Sequence, residues 1–245
     1  MKSHDMDLTG HLSELRTRLI IIMAAFVCLF ILAFLYVEEI YAWLVRDLQV
    51  KLAVLGPSDI LWVYFMLAGI IAVAGVIPIA AHQIWCFVKP ALKTEERKLT
   101  LAYIPALFLL FIAGLSFGYF VIFPIVFKFL LSLSDEMMTT FFTTEKYFTF
   151  LLHMTLPFGF LFELPVVIMF LTSLGILNPY RLQHLRKYAY FALVVTSVVI
   201  TPPDFLSDIL VIIPLLLLYE ISVLLSRTVY RKKQKHRNGP FASDA

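Results

Sequence analysis

Apolar residues in this chain do not alternate with polar ones. They run in long blocks, and the charges gather in short clusters between the blocks. Leu19–Val37, Ile60–Ala81, Ala102–Phe123 and Phe148–Leu174 are almost uninterrupted. The hydrocarbon core of a bilayer, roughly 30 Å thick, takes about 20 helical residues at 1.5 Å each, and each block meets that length. A fifth region, Tyr188–Ser226, is broken by Thr201-Pro202-Pro203-Asp204. Two prolines followed by an acid end a helix and supply a turn, which predicts two helices, Tyr188–Ile200 and Phe205–Leu225. The first is short, on the order of 20 Å, so either the bilayer thins there or the turn at Pro202 lies below the outer surface. The pattern predicts an all-α membrane protein with six transmembrane helices.

Charge sets the expected orientation. Lysine and arginine collect on the cytoplasmic side of membrane proteins. Of the 20 such residues here, only Arg46, Lys51, Lys128 and Lys146 fall in the loops of one side. The rest lie before the first block, in the second-to-third and fourth-to-fifth loops, and in the C-terminal segment. Both termini are therefore expected in the cytoplasm. Residues 1–231 read as a single six-helix membrane domain and residues 232–245 as a basic, disordered cytoplasmic tail. The opposite side carries Glu38–Asp59, Lys128–Tyr147 and the Pro202 turn. The first of these loops is apolar enough to lie on the membrane interface.

Composition fits this picture: 61% of residues are hydrophobic and 15% charged, against about half and a quarter in soluble domains. A net charge of +3 gives no reason to expect a nucleic-acid surface. Cys28 and Cys86 sit far apart in apolar surroundings and read as small buried hydrophobes. Acidic Asp5, Asp7 and Glu14 precede the first block and no small-residue cleavage site follows it, so that helix is expected to remain as an anchor.

Few residues are candidates for function. Leu8, Leu12, Leu15 and Leu19 recur at helical spacing, so the N-terminal segment can lie as an amphipathic helix along the interface. Glu14 then stands beside Arg16 and Arg18. It either pairs locally with Arg18 at i,i+4 or offers a carboxylate to a cationic partner. Glu95 and Glu96, behind Thr94, either compensate the N-terminal dipole of the third helix or bind a ligand. Glu163 sits within an apolar run, where an ionised carboxylate facing lipid is expensive. It should face protein, a water-filled concavity or a partner helix. The alternative is an internal polar bond near Pro157 or Pro165, where kinks free backbone groups. Asp204 and Asp208 open the last helix and can be explained by capping alone. Gly114 and Gly118 form a GxxxG, and Ala68, Ala72 and Gly75 form a small-residue stripe. Both suit close packing within one chain.

No nucleophile elbow, phosphate loop or metal-spaced His/Cys cluster is present in the sequence, so no catalytic residue, metal or cofactor is expected. Binding suits such a chain better than turnover. Two rival readings remain at this point. One is a secondary transporter coupling a proton through Glu163. The other is a haem carrier using His82 and His153.

Six segments, in order, resemble one family: HLSELRTR at 11–18, FVKPALKTEER at 87–97, FGFLFELP at 158–165, RKY at 186–188, TPPDFLSD at 201–208 and IPLLLLYE at 213–220. The chain resembles TatC, the multi-spanning subunit of the twin-arginine (Sec-independent) protein translocase, over roughly Leu8 to Arg231. The resemblance implies a curved, concave bundle of six helices in a bacterial-type cytoplasmic membrane. It also implies a receptor for the twin-arginine signal peptides of folded cargo proteins, working with single-span TatA-like subunits and further copies of itself, driven by the proton gradient. Carried over by motif, Glu14 and Glu96, with Arg16 and Phe87 nearby, would read the arginine pair. Glu163 would face the concavity. Pro202, Pro203, Asp204 and Asp208 would form the outer turn, although many members carry Gln where Asp208 stands. A guanidinium offers a planar fork that matches a carboxylate at two points, which a lysine cannot reproduce.

Overall fold

The computed structural model describes residues 3–46, 48, 52–89, 97, 101–134, 141–201 and 205–238. Among these, every regular element is helical. In order they are α1 (Ser3–Leu35), α2 (Val37–Val45), α3 (Pro57–Val88), α4 (Tyr103–Phe117), a π-helical turn (Gly118–Ile122), α5 (Phe123–Ser134), α6 (Thr144–Leu161), α7 (Leu164–Ser173), α8 (Pro179–His184), α9 (Arg186–Ile200) and α10 (Phe205–Asn238). Among the described residues, five segments are long and apolar enough to cross a membrane: Leu12–Leu35, Pro57–Val88, Tyr103–Ser132, Thr144–Ser173 and Ser207–Arg231. They coincide with the four uninterrupted blocks and the last helix. Helix α9 has 15 residues, about 22 Å, and is the short helix that the sequence led us to expect before the Pro202 turn.

Two features differ from the sequence reading. The N-terminal amphipathic segment is not a separate interfacial helix, because α1 runs unbroken from Ser3 into the first apolar block. No proline follows Arg18 to stop it, and straight-chain residues favour continuation. At the other end α10 continues past Arg231 to Asn238.

The chain divides into two compact units. The first comprises Met1–Phe108 and Ser134–Leu152. Its core is the packing of α1 on α3. The small-residue stripe is what allows close approach: Ala68 and Ala72 are fully buried, and a Cβ on Gly75 would lie 3.1 Å from Leu29. Phe30 stacks on Phe65 at 5.9 Å, and Phe34 meets the same ring at 5.2 Å. Helix α2 returns over this pair and inserts Tyr41 between Tyr64 and Phe148. The two loops on this side are joined by a short parallel bridge. The Ala53 N–H donates to the Phe142 carbonyl, and the Thr144 N–H donates to Ala53, both at 2.9 Å. Asp59 closes the start of α3 by accepting from the Leu55 and Gly56 N–H groups at 3.1 Å. Leu55 and Phe141 remain largely exposed.

The second unit comprises Leu109–Leu133 and His153–Ala245. Gly114 and Gly118 face the backbone of α6 at Phe158 and Thr155, so the GxxxG packs within the chain. Gly159 answers from the other side, against the Phe111 ring. Phe111, Phe158, Ile122 and Val126 are fully buried around this crossing. Helix α7 lies on α10 and is tied to it by a 2.8 Å hydrogen bond between the Thr172 and Ser226 hydroxyls. It ends at Gly175, whose φ of 81° is the left-handed conformation that glycine adopts without strain. Asn178 then caps α8 by accepting from the Tyr180 N–H at 3.0 Å.

The outward faces of these helices are apolar. Tyr188, Phe191, Val195 and Val199 line one face of α9 and are exposed, Val199 at 77%. A soluble protein rarely leaves so large a contiguous apolar surface open to water.

Candidate functional site

Glu14 lies on α1, half-buried, among exposed Leu12, Ser13, Leu15 and Arg16. The Arg18 guanidinium reaches back one turn and donates to a single carboxylate oxygen, Oε1, through Nε at 3.1 Å and through Nη2. Its remaining arm, Nη1, donates to Gln83 Oε1 on α3 at 3.3 Å. Among the described residues, Glu14 Oε2 accepts no hydrogen bond. Gln83 and Phe87 stand one turn apart on α3 and therefore share a face. The structure thus brings Glu14, Arg18, Gln83 and the half-buried Phe87 to neighbouring turns of α1 and α3. Arg16 is exposed beside them. Glu96 and Glu95 lie outside the described residues.

The i,i+4 pair that the spacing allowed is therefore formed, and it leaves half of the carboxylate open. Gln83 was not singled out from the sequence. Its only signal is a polar residue beside His82 near the end of an apolar helix. Next to it, Cys86 Sγ lies 3.8 Å from His82 Nε2, and Lys89 Nζ sits 5.2 Å above the Trp85 ring.

Glu163 marks a break. The Phe162 N–H still reaches Phe158 O at 2.9 Å, but the Glu163 N–H turns to Phe160 O at 3.1 Å, a tighter i,i−3 bond. Pro165 follows in the first turn of α7. It has no N–H for the Leu161 carbonyl, and its ring crowds that turn, so α6 stops and α7 restarts with Glu163 at its N-cap. Pro157 is carried inside α6. The Glu163 side chain makes no capping bond. Its Oε1 is buried, with no hydrogen-bond partner among the described residues. The internal polar bond that would have explained this acid is absent there.

Pro202, Pro203 and Asp204 lie outside the described residues. Asp208 is described, in the first turn of α10. It accepts a hydrogen bond from the Thr201 hydroxyl, which also contacts the Ser197 carbonyl at 2.9 Å. At the far end of the same helix pair, Glu220 receives Arg186 Nη2 at 2.6 Å and the Tyr190 hydroxyl at 2.5 Å. The sequence motif contained Glu220, yet its role was not read there. An acid near the end of a long apolar run, with an arginine 34 residues earlier, was the available signal. Among the described residues no group of three or more His, Cys, Asp and Glu could hold a metal ion.

Long apolar helices that carry half-open and buried carboxylates define an all-helical protein of the membrane-spanning class. Comparison with known proteins gives the class a family. The profile described as "Sec-independent protein translocase protein (TatC)" matches residues 10–214. The chain is 59% identical over 242 residues to TatCd of Bacillus subtilis (strain 168), covering 99% of this chain and 100% of that one. It is 45% identical over 239 residues to TatCy of the same organism, covering 96% and 94%. Crystal structures of the twin arginine translocase receptor TatC superpose with TM-scores of 0.77 and 0.78. They are 32% identical and cover 89% and 88% of this chain and 99% of each of theirs. The chain belongs to the TatC family of Sec-independent protein translocase subunits. It is a multi-pass membrane protein of protein transport, not an enzyme.

Proposed function

We propose that this chain is the signal-peptide receptor and core of a twin-arginine translocase. In this reading the short α9 is a sixth span, both termini are cytoplasmic, and residues 1–231 form one concave membrane domain with a basic tail from 232. The observation that carries it is the half-open carboxylate of Glu14. One oxygen is held by Arg18 and the other accepts no hydrogen bond among the described residues, on the side to which the lysine and arginine distribution assigns the cytoplasm. Glu14 and Glu96 each grip one guanidinium of the arginine pair, and Arg16 and Phe87 complete the surface. The apolar part of the signal peptide then inserts along the helices. TatA-like single-span subunits and further copies of this chain assemble around it, and the proton gradient drives passage.

The test is a pulldown on membranes holding the full chain. It compares a signal peptide carrying its arginine pair with one carrying two lysines. Retention of the first and loss of the second is the expected result. Equal retention removes the site.

Glu163 serves the same reading from within the membrane, where its Oε1, without a hydrogen-bond partner among the described residues, is available to the inserted peptide or to a partner helix. A buried acceptor without a partner costs about 1–3 kcal/mol, and residues kept for binding are often destabilising. Glu163→Leu should therefore raise the midpoint of thermal unfolding in detergent while cargo export in cells falls. A drop in the midpoint would mean that the carboxylate is a structural element.

A further inference from the structure

Arg18 occupies the place that a ligand guanidinium would take. It donates twice to Glu14 Oε1, so only Oε2 is left for an incoming group. A planar fork binds most strongly when it meets both oxygens of a carboxylate at once. That geometry is closed while Arg18 stays where it is. The third arm of Arg18 already rests on Gln83 Oε1 at 3.3 Å, on the neighbouring helix. Arg18 can therefore release Glu14 without losing every acceptor. Glu14 has no other basic partner among the described residues.

We infer that Arg18 is a resident competitor in the receptor site. It holds Glu14 in the empty protein, is displaced onto Gln83 when a peptide arginine arrives, and so sets how tightly the signal peptide is held. The inference rests on the reading of Glu14 as the receptor's carboxylate. One guanidinium replaces another, so the exchange conserves charge and hydrogen-bond type, and its cost to the ligand is small. Competition of this kind weakens binding without deciding between arginine and lysine, because Glu14 still reads the fork. Its use is release: a cargo that must leave the receptor for the passage cannot be held at full strength.

The experiment measures the dissociation constant of a fluorescent twin-arginine peptide for the full chain in lipid nanodiscs. The variants are Arg18→Gln, Arg18→Lys, Glu14→Gln and the pair Glu14→Gln with Arg18→Gln. An exposed or half-exposed ion pair of this kind corresponds to roughly a two- to fivefold change. Arg18→Gln should tighten binding by that factor. Arg18→Lys, which keeps the charge but not the fork, should tighten it less, and it carries the test if the glutamine variant fails to fold. Glu14→Gln should weaken binding, and adding Arg18→Gln to it should give no gain. A gain that persists without Glu14 would be general electrostatics and would overturn the competitor. So would weaker or unchanged binding in both Arg18 variants while Glu14→Gln still weakens it, because Arg18 would then only position the carboxylate. If Glu14→Gln has no effect, the receptor reading itself fails, which is a different result.

Discussion

Binding of a twin-arginine signal peptide should collapse in the double variant Glu14→Ala with Glu96→Ala, while the protein still inserts into the membrane. A hydrogen bond to a charged group contributes about 1.5–3 kcal/mol. Loss of two such contacts corresponds to a drop of about 10²- to 10⁴-fold in affinity. Crosslinking yield across a peptide titration measures it, and alkali extraction of membranes verifies insertion. Each single variant should retain an intermediate affinity, because the two acids grip separate guanidinium groups. Glu14→Ala also leaves Arg18 to Gln83 and Cys86 on the neighbouring helix. That change is local to one turn of α1 and should not affect folding. Unchanged crosslinking in the double variant would remove these carboxylates from the recognition surface.

The second large effect belongs to the helix crossing in the Leu109–Leu133 and His153–Ala245 unit. A Cβ on Gly118 would sit 2.8 Å from the Thr155 Cα, and one on Gly114 would sit 2.8 Å from the Phe158 carbonyl carbon. Both obstacles are backbone, which cannot swing aside as a side chain can. Overpacking of a tight core costs about 1–3 kcal/mol even where side chains can adjust. Gly118→Ala should therefore lower the unfolding midpoint in detergent by several degrees. Gly114→Leu should leave little folded protein. Gly10→Ala is the matched control, since nothing lies within 4 Å of the added atom. A Gly118→Ala protein as stable as the Gly10→Ala protein would show that the crossing is looser than described.

These two sites also show what the sequence disclosed and what it withheld. The spans were legible because a bilayer demands length and apolarity, and both are read directly from composition along the chain. The GxxxG was legible as a close-packing device because only small residues allow backbones to approach. Glu163 stood out because an acid in an apolar run has few acceptable environments. What stayed hidden was angular. In a helix apolar on every side, hydropathy does not say which face meets which neighbour. Nothing in the composition distinguishes the π-helical turn at Gly118–Ile122 from ordinary helix. The Arg18–Gln83 bond joins residues 65 positions apart, and the Arg186–Glu220 pair joins residues 34 apart. No local spacing rule reaches that far. The unbroken course of α1 is hidden for a related reason: an amphipathic stretch and an apolar one have different patterns, although nothing between them stops a helix.

The π-helical turn fixes more than its own five residues. A π turn holds one residue more than the α-helical path it interrupts, and each residue of an α-helix advances the chain by about 100° around its axis. The faces that α4 and α5 present are thus phased by that single extra residue. Phe117, Val121, Ile122 and Ile125 line a groove of about 640 Å³ together with Ile209, Ile213, Pro214 and Leu217 of α10. Were one residue to be lost from the turn, the helix would heal into regular geometry and everything beyond it would swing by about a quarter of a revolution. Ile125 would leave the groove and Val126 would lose its burial. In this stretch the number of residues matters as much as their chemistry, so an in-register substitution should be tolerated where a deletion is not.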